Sequence, residues 1–193
     1  MSSPTMMPMS LEEIAQAVQG RLIAGTAAID TPVATSTFTD SRQIVEGSVF
    51  VAIAGERVDG HDYVSKVGAQ GAVAAIVDHE IDGAGVPQIV VEDTVLALGA
   101  LAKHNIERRR ALETPFTVIG ITGSVGKTTT KDLMKALLAH IGPTIAPVGS
   151  LNNEIGLPLT SLKVHAETRF LVAEMGANHV GEIANLTSLV PPD

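Results

Sequence analysis

The stretch from Phe116 to Lys131, with the sequence FTVIGITGSVGKTTTK, constrains the fold of this chain more than any other. Its apolar, β-branched residues 116–122 predict a buried strand, and the Lys-Thr residues from Lys127 onward predict the start of a helix. The glycine turn 123–126 joins the two. This order is typical of a phosphate-binding P-loop, because glycines and a helix N-terminus direct several backbone N–H groups at one anion.

Two side chains support this interpretation, and one position departs from the usual P-loop motif. Lys127 can place a point charge at the β- and γ-phosphates, and Thr128 can offer its hydroxyl to Mg²⁺. The common spacing G-x-x-x-x-G-K-[ST] requires glycine at position 121, where this chain has Ile121. The sequence therefore predicts a tighter loop, and the alternative is a chance Gly-Lys-Thr at a helix start.

The composition indicates which classes of protein the chain can belong to. Hydrophobic residues make up 45% and aromatic residues only 3%, so the core is built from Val, Ile, Leu and Ala, as in proteins with buried parallel strands. A net charge of −8 disfavours nucleic acid or an anionic membrane as a partner. The absence of cysteine excludes a disulfide framework and thiol chemistry. No apolar run is long enough to span a membrane and the first nine residues do not resemble a signal peptide, so we expect a soluble cytoplasmic protein without membrane insertion.

The order of elements predicts an α/β fold in two domains. Short helices and strands alternate up to about residue 110, and Glu113-Thr114-Pro115 then breaks the chain, so we predict domains at 1–112 and 113–193. In the second, a helix over 127–140 carries the apolar residues Met134, Leu137, Leu138 and Ile141. Only about three strands follow residue 115, fewer than most parallel P-loop sheets have, so we expect 113–193 to be part of a larger domain. The predicted strands are 21–24, 33–38, 48–54, 72–77, 88–91, 116–122, 144–148 and 169–173, and the further helices are 10–20, 63–69, 94–110 and 181–189, with another possible within 152–162.

Polar residues follow several of these strands. The strand 170–173 ends in Glu174, and a carboxylate on the loop side of a parallel sheet can bind Mg²⁺, although many strands end in Glu. Asn152 and Asn153 form either part of a site or an ordinary turn and helix cap. His179 is either a substrate or metal contact or only a loop histidine. Arg42, in a turn with Asp40 and Ser41, can bind a phosphate or carboxylate through two hydrogen bonds.

Taken together, these segments resemble the Mur ligase family over nearly all of residues 10–193. The tight loop with Ile121 is normal in that family. The Asn-Asn-Glu-Ile-Gly and Gly-Ala-Asn-His segments resemble one branch in particular. The matching segments are Asp40–Arg42, Gly47–Ala52 with Gly55, Asp59–Asp62, Gly71-Ala72, Ile121–Lys131, Asn152–Thr160, Glu174–His179 and Gly181–Ile183.

The resemblance implies a magnesium- and ATP-dependent ligase of peptidoglycan precursor synthesis, and hence of cell wall biogenesis, cell shape and cell division. Members of this branch phosphorylate the terminal carboxylate of UDP-N-acetylmuramoyl-tripeptide and let the amine of D-alanyl-D-alanine attack the acyl phosphate. By resemblance, the first domain binds the UDP end and the second binds ATP. We expect small-molecule substrates, no nucleic acid and a monomer. The implied catalytic residues are Lys127, Glu174 and His179; the ATP-binding residues Gly123, Ser124, Val125, Gly126, Lys127, Thr128 and Thr129; the metal ligands Thr128 and Glu174; and the substrate-binding residues Ser41, Arg42, Asn152 and Asn153.

Two other functions stay open at this point. One is a different Mur-type or a folylpolyglutamate-type ligase, which shares the loop but should lack the two segments that mark the branch. The other is a non-catalytic nucleotide-binding module, which predicts ATP binding without a UDP-sugar site. Family members are much longer and carry a later histidine, a carbamylated lysine and a third domain, so we expect the 193 residues alone not to ligate.

Overall fold

The computed structural model describes residues 6–23 and 33–193 and has a mixed α/β architecture with parallel sheets, as predicted. It divides into two compact units. One spans Pro8–Leu101, and the other spans Ala102–Asp193 and takes in Met6 and Met7. The domain limits 1–112 and 113–193 stay a prediction.

The first unit contains a five-stranded sheet in the order β2-β7-β6-β5-β4. Strands β4 to β7 are parallel to one another, and β2 runs antiparallel along β7. A separate antiparallel pair joins β1 to β3. The elements are β1 (Met9–Ser10), α1 (Leu11–Ala17), β2 (Arg21–Ile23), β3 (Val33–Ala34), β4 (Ser36–Phe38), β5 (Ser48–Val51), α2 (Val64–Val67), β6 (Ala72–Val77), β7 (Gln88–Val90) and α3 (Thr94–Arg110), the last of which extends into the second unit.

Local sequence explains where several of these elements begin and end. Ser10 caps α1 by accepting a hydrogen bond from the Glu13 N–H at 3.1 Å. Asp93 caps α3 in the same way, through the N–H groups of Val95 and Leu96. The predicted strand 33–38 is divided into β3 and β4, and the predicted helix 63–69 is a single turn, α2, flanked by 3₁₀ turns.

The parallel strands of the first unit bring three polar turns to one edge of the sheet. Strands β5 and β6 are almost wholly buried, and Phe50, Ala75 and Val77 pack with Val64 and Val67 of α2 in its core. Because β4, β5 and β6 run in the same direction, the segments that follow their carboxyl ends lie along the same edge. Open parallel sheets bind ligands at this edge.

The second unit contains a three-stranded parallel sheet in the order β8-β10-β9. Its central strand β10 is paired with β8 so that Glu174 lies opposite Ile121, the last residue of β8. Val118, Leu171 and Leu186 belong to its buried core. The elements are β8 (Thr117–Ile121), α4 (Lys127–Ala139), β9 (Thr144–Ile145), α5 (Gly156–Ser161), β10 (Phe170–Glu174) and α6 (Glu182–Leu189).

The predicted apolar face of α4 is only partly correct. Met134 and Leu138 are half-buried, whereas Leu137 and Ile141 are 64% and 56% exposed. The reason is the rotation of the helix, which packs against β10 with the face that carries Lys131, Met134 and Leu138. Leu137 lies about 120° around the helix from Lys131, because successive residues are 100° apart, and Ile141 lies beyond Ala139, the last residue of α4.

None of the helices in residues 6–23 and 33–193 combines the length and apolarity needed to cross a bilayer.

Candidate functional site

The glycine turn between β8 and α4 lies open to solvent. Gly123 and Gly126 have φ angles of +149° and +81°, which side chains other than hydrogen rarely tolerate. Val125, between them, is 87% exposed. Within residues 6–23 and 33–193, no side chain caps the first turn of α4, so its backbone N–H groups are available to an anion.

Lys127 folds back over this turn. Its Nζ donates a hydrogen bond to the Gly123 carbonyl oxygen at 2.8 Å. The ammonium group is therefore held at the opening of the loop, where its charge can attract a phosphate. This contact is local, four residues apart in sequence, and it needs no support from other elements.

Glu174 forms the opposite side of the site from the end of β10. The residue is fully buried, and its Oε1 accepts hydrogen bonds from Thr128 Oγ1 at 3.2 Å and Asn152 Nδ2 at 2.9 Å. Its Oε2 is also buried, but no residue in the described part of the chain donates a hydrogen bond to it. A buried carboxylate oxygen without a partner is costly in free energy, so this atom is suited to a cation.

The two asparagines have different contacts. Asn152 orients Glu174, and its backbone carbonyl accepts from the Gly176 N–H at 2.9 Å. Asn153 Oδ1 accepts from the Gly156 N–H at 2.8 Å at the start of α5. The helix-cap interpretation therefore describes Asn153, while Asn152 contacts the carboxylate of the site.

A cavity of about 280 Å³ lies beside these groups. Its polar rim includes Asn178 and Glu182, and Glu182 Oε2 accepts the backbone N–H groups of Asn178 and His179 at 2.6 and 3.2 Å. These two hydrogen bonds hold the pKa of Glu182 below its usual value. The cavity is lined by Lys127, Asn152, Asn153, Glu154, Gly176, Ala177, Asn178, Glu182, Asn185 and Leu186.

The structure does not bring every predicted site residue to this cavity. His179 is exposed and does not line the cavity, and its side chain stays a predicted contact. Ser41 and Arg42 belong to the first unit, in a 3₁₀ turn that follows β4. Arg42 there donates from Nε and Nη2 to the two carboxylate oxygens of Asp40, at 2.9 and 2.8 Å. This pairing holds the pKa of Asp40 well below its usual range and fixes the guanidinium, which is 87% exposed.

Sequence reasoning missed two residues of this region. Glu182 is one, although its place in the first turn of α6 is a signal for binding backbone N–H groups. The other is Lys131, one helical turn after Lys127. Lys131 is buried, and its Nζ contacts the carbonyl oxygens of Pro147 and Gly149, both at 3.0 Å, and Asp132 Oδ1 at 2.8 Å.

Gly176 offers a test of how Asn152 is held. A Cβ atom at position 176 would lie 2.7 Å from Asn152 Cγ and Oδ1 and 2.8 Å from Nδ2. We therefore expect Gly176→Ala to push the Asn152 amide off Glu174 and to lower the free energy of unfolding by about 1–3 kcal/mol, as overpacking and a lost buried hydrogen bond do. Urea denaturation measures this change.

The matched control is the double variant Asn152→Ala/Gly176→Ala. When the Asn152 side chain is absent, Gly176→Ala should lower the free energy of unfolding much less than it does in the wild-type background. The effects of substitutions at residues in contact are not additive in this way. Equal costs in both backgrounds would contradict the packing explanation.

Comparison with known proteins gives consistent results for both units. Residues 35–106 match the profile described as "Mur ligase family, catalytic domain", and residues 121–193 match "Mur ligase middle domain". The UDP-N-acetylmuramoyl-tripeptide--D-alanyl-D-alanine ligase of Escherichia coli (strain K12) is 37% identical over 188 residues, which are 97% of this chain and 39% of that protein. The corresponding ligase of Haemophilus influenzae is 40% identical over 193 residues.

Solved structures are similar as well. A crystal structure of MurF from Acinetobacter baumannii matches with a TM-score of 0.85 and 38% identity, over 97% of this chain and 40% of that one. MurF ligase from Thermotoga maritima, in complex with ADP, matches with a TM-score of 0.68 and 36% identity, over 81% of this chain and 35% of that one. The chain thus spans about 40% of the length of these relatives.

Proposed function

The chain belongs to the Mur ligase family, and we propose that it forms the part of a UDP-N-acetylmuramoyl-tripeptide–D-alanyl-D-alanine ligase that binds ATP and the UDP end of the substrate. The relatives that match 97% of the chain carry this activity in their names. MurF ligase from Thermotoga maritima, which matches 81% of the chain, is known in complex with ADP. The observation that carries the proposal is the buried Glu174 carboxylate at the end of β10, held by Thr128 and Asn152 beside an open P-loop.

The proposed reaction has two steps. The γ-phosphoryl group of ATP passes to the terminal carboxylate of the tripeptide, which gives an acyl phosphate and ADP. The amine of D-alanyl-D-alanine then attacks the acyl carbon, a peptide bond forms and inorganic phosphate leaves. In both steps negative charge lies on phosphate oxygens, so the main task of the protein is to position these oxygens and stabilise their charge.

The residues of the second unit suit this task. The N–H groups of the loop 123–126 and of the first turn of α4 would hold the phosphates, with Thr129 among them. The Lys127 ammonium would exchange the Gly123 carbonyl for a phosphate oxygen. Asn153, which lines the cavity with Asn152, and the neighbouring His179 are proposed to contact the sugar-peptide end.

The donors also fit Mg²⁺, which the family implies. Thr128 Oγ1 and the Glu174 carboxylate are hard oxygen ligands, and the buried Oε2 has no partner among the residues that the structure describes. When bound, Mg²⁺ neutralises charge on the β- and γ-phosphates. Asn152 contributes by fixing the carboxylate so that its second oxygen stays free.

In the first unit, we propose that Ser41 and Arg42 bind the UDP end, at the carboxyl edge of the parallel sheet. The Asp40 pairing occupies the edge of the guanidinium formed by Nε and Nη2 and leaves Nη1 and the second hydrogen of Nη2 to donate to a ligand. We also propose that the protein acts in the cytoplasm as a monomer.

The Arg42→Ala variant tests this assignment. Loss of a charge-assisted hydrogen bond costs about 1.5–3 kcal/mol, so the affinity for UDP-N-acetylmuramoyl-tripeptide should fall by about 10- to 150-fold. Isothermal titration calorimetry of the 193-residue chain measures it. Lys66→Ala removes the same charge from an exposed position on α2 and should leave the affinity unchanged. An Arg42→Ala chain that binds the substrate as tightly as the wild type would refute the role of Arg42.

A further inference from the structure

A group of two histidines and two aspartates lies at the carboxyl edge of the sheet in the first unit. Asp59 and His61 are in the segment that follows β5, and Asp78 and His79 directly follow β6. We call these four residues the His61 cluster. Because β5 and β6 are parallel neighbours, the fold brings together groups that are 17 residues apart in sequence.

His61 is fixed in one orientation within the cluster. Its side chain is 5% exposed, and its Nδ1 lies 2.6 Å from Asp59 Oδ1. The same carboxylate oxygen accepts the His61 backbone N–H at 2.9 Å. A carboxylate oxygen can only accept a hydrogen bond, so the ring N–H is on Nδ1 and Nε2 is the acceptor, as for many metal-binding histidines.

The Nε2 atom faces a second carboxylate. Asp78 Oδ1 lies 3.2 Å from it, so a lone pair meets a negatively charged oxygen. The Asp78 backbone N–H donates to Nε2 in a long hydrogen bond of 3.3 Å, which a cation bound at Nε2 would replace. Two ligands about 2.1 Å from a tetrahedral ion lie roughly 3.4 Å apart, which is close to the observed separation.

His79 completes a set of three donors. Its Nδ1 contacts Asp78 Oδ1, and its ring stacks on that of His61 with 4.8 Å between the centroids. The donor atoms of His61, Asp78 and His79 all lie within 4.8 Å of one another. The side chains of Asp78 and His79 are 40% and 64% exposed, so an ion can enter from solvent. The His79 ring also has room to turn out of its stack on His61, which it must do for both ring nitrogens to point at one ion.

We propose that His61 Nε2, Asp78 Oδ1 and His79 Nδ1 form a binding site for a divalent cation of borderline softness, Zn²⁺ in particular. Two imidazole nitrogens and one carboxylate oxygen favour Zn²⁺ or Co²⁺ over Mg²⁺ and Ca²⁺, which prefer oxygen ligands only. Asp59 is a positioning residue that orients His61. Three protein ligands leave a fourth position for water or for an oxygen of another ligand. The site is independent of the Glu174 carboxylate, which belongs to the other unit.

Calorimetric titration of the tag-free, chelator-treated chain with Zn²⁺ tests the proposal. We expect one ion per chain at this site, and at least a 10-fold loss of affinity in His79→Ala, which removes an exposed ligand that the fold does not need. The control His140→Ala removes an exposed histidine at the end of α4 and should leave the affinity unchanged. Absence of Zn²⁺ binding, or equal affinity in wild type and His79→Ala, would overturn the proposal.

Two further variants separate a metal site from a merely structural cluster. Asp78→Asn keeps the shape of the side chain and should melt near the wild-type temperature without metal, while losing the increase in melting temperature that Zn²⁺ gives to the wild type. Glu174→Gln should bind Zn²⁺ as the wild type does. If Glu174→Gln abolished binding and Asp78→Asn retained it, the ion would lie in the other unit and the assignment would be wrong.

Discussion

Replacing Glu174 by glutamine should remove the Mg²⁺ dependence of ATP binding and, at the same time, stabilise the chain without ligand. The carboxylate is fully buried and its Oε2 lacks a partner in the described chain, so without a cation its charge is a cost to the fold. A neutral amide of the same shape should raise the free energy of unfolding by about 1 kcal/mol. It should also lower ATP affinity in Mg²⁺ at least 10-fold, because a charged ligand to the cation is gone.

Two measurements check this opposite pair of effects. Urea denaturation in EDTA gives the stability, and nucleotide titration with and without Mg²⁺, followed by the amide resonances of Gly123 and Gly126, gives the affinity. Glu154→Gln is the matched control, since Glu154 lines the same cavity but is exposed. Wild-type Mg²⁺ dependence in Glu174→Gln would remove Glu174 from the proposed metal site.

Replacing Lys127 by methionine should weaken nucleotide binding, and the loss of affinity should be larger for nucleotides that carry more phosphate groups. The ammonium is held at the loop by the Gly123 carbonyl, where the β- and γ-phosphates are proposed to lie. Loss of a charge-assisted contact lowers ATP affinity by about 10- to 150-fold, with a smaller loss for ADP and almost none for AMP. The stability should change by less than about 0.5 kcal/mol, because Lys127 makes only a local contact.

Titration with the three nucleotides in turn measures the gradient. Lys135→Met removes the same charge from an exposed position on the same helix and should leave all three affinities unchanged. An equal loss for AMP and ATP in Lys127→Met would indicate a damaged loop rather than a lost phosphate contact.

The parts of the site that could be predicted from sequence depend on local patterns or on general rules for parallel sheets. The loop and the start of α4 at Lys127 are local, since strand, glycines and helix are contiguous. The proximity of Glu174 to the loop follows from strand polarity, because parallel neighbours end on the same side. The sequence did not indicate that Asn152 contacts this carboxylate, since 22 residues and a helix separate the two.

Buried charges are features that the local sequence does not mark. The arginines 108–110 lie in the last turn of α3, where cations complement the helix dipole. Arg109 is in addition 2% exposed and donates to Thr168 O, at 2.9 Å from Nε and 2.7 Å from Nη2, and to Thr114 Oγ1 at 2.9 Å. Whether a charge is buried depends on carbonyl groups from distant segments, which leave no mark near the charged residue itself.

Only half of the His61 cluster could be recognised from the sequence, for the same reason. The segment Asp59–Asp62 stands out as a polar turn, but nothing in the local sequence connects it to Asp78 and His79. These residues come together only because β5 and β6 are neighbouring strands in the sheet.

Lys131 links the stability of two segments that are separate in sequence. Its ammonium has three partners, and two of them are carbonyl groups of the loop 147–149. Opening that loop alone would leave a buried charge on α4 with only Asp132 to compensate it, so the loop and the helix must open together. The segment leading to Asn152 therefore belongs to the same cooperative unit as the nucleotide loop, and its amide protons are protected by the stability of the whole unit rather than by local contacts.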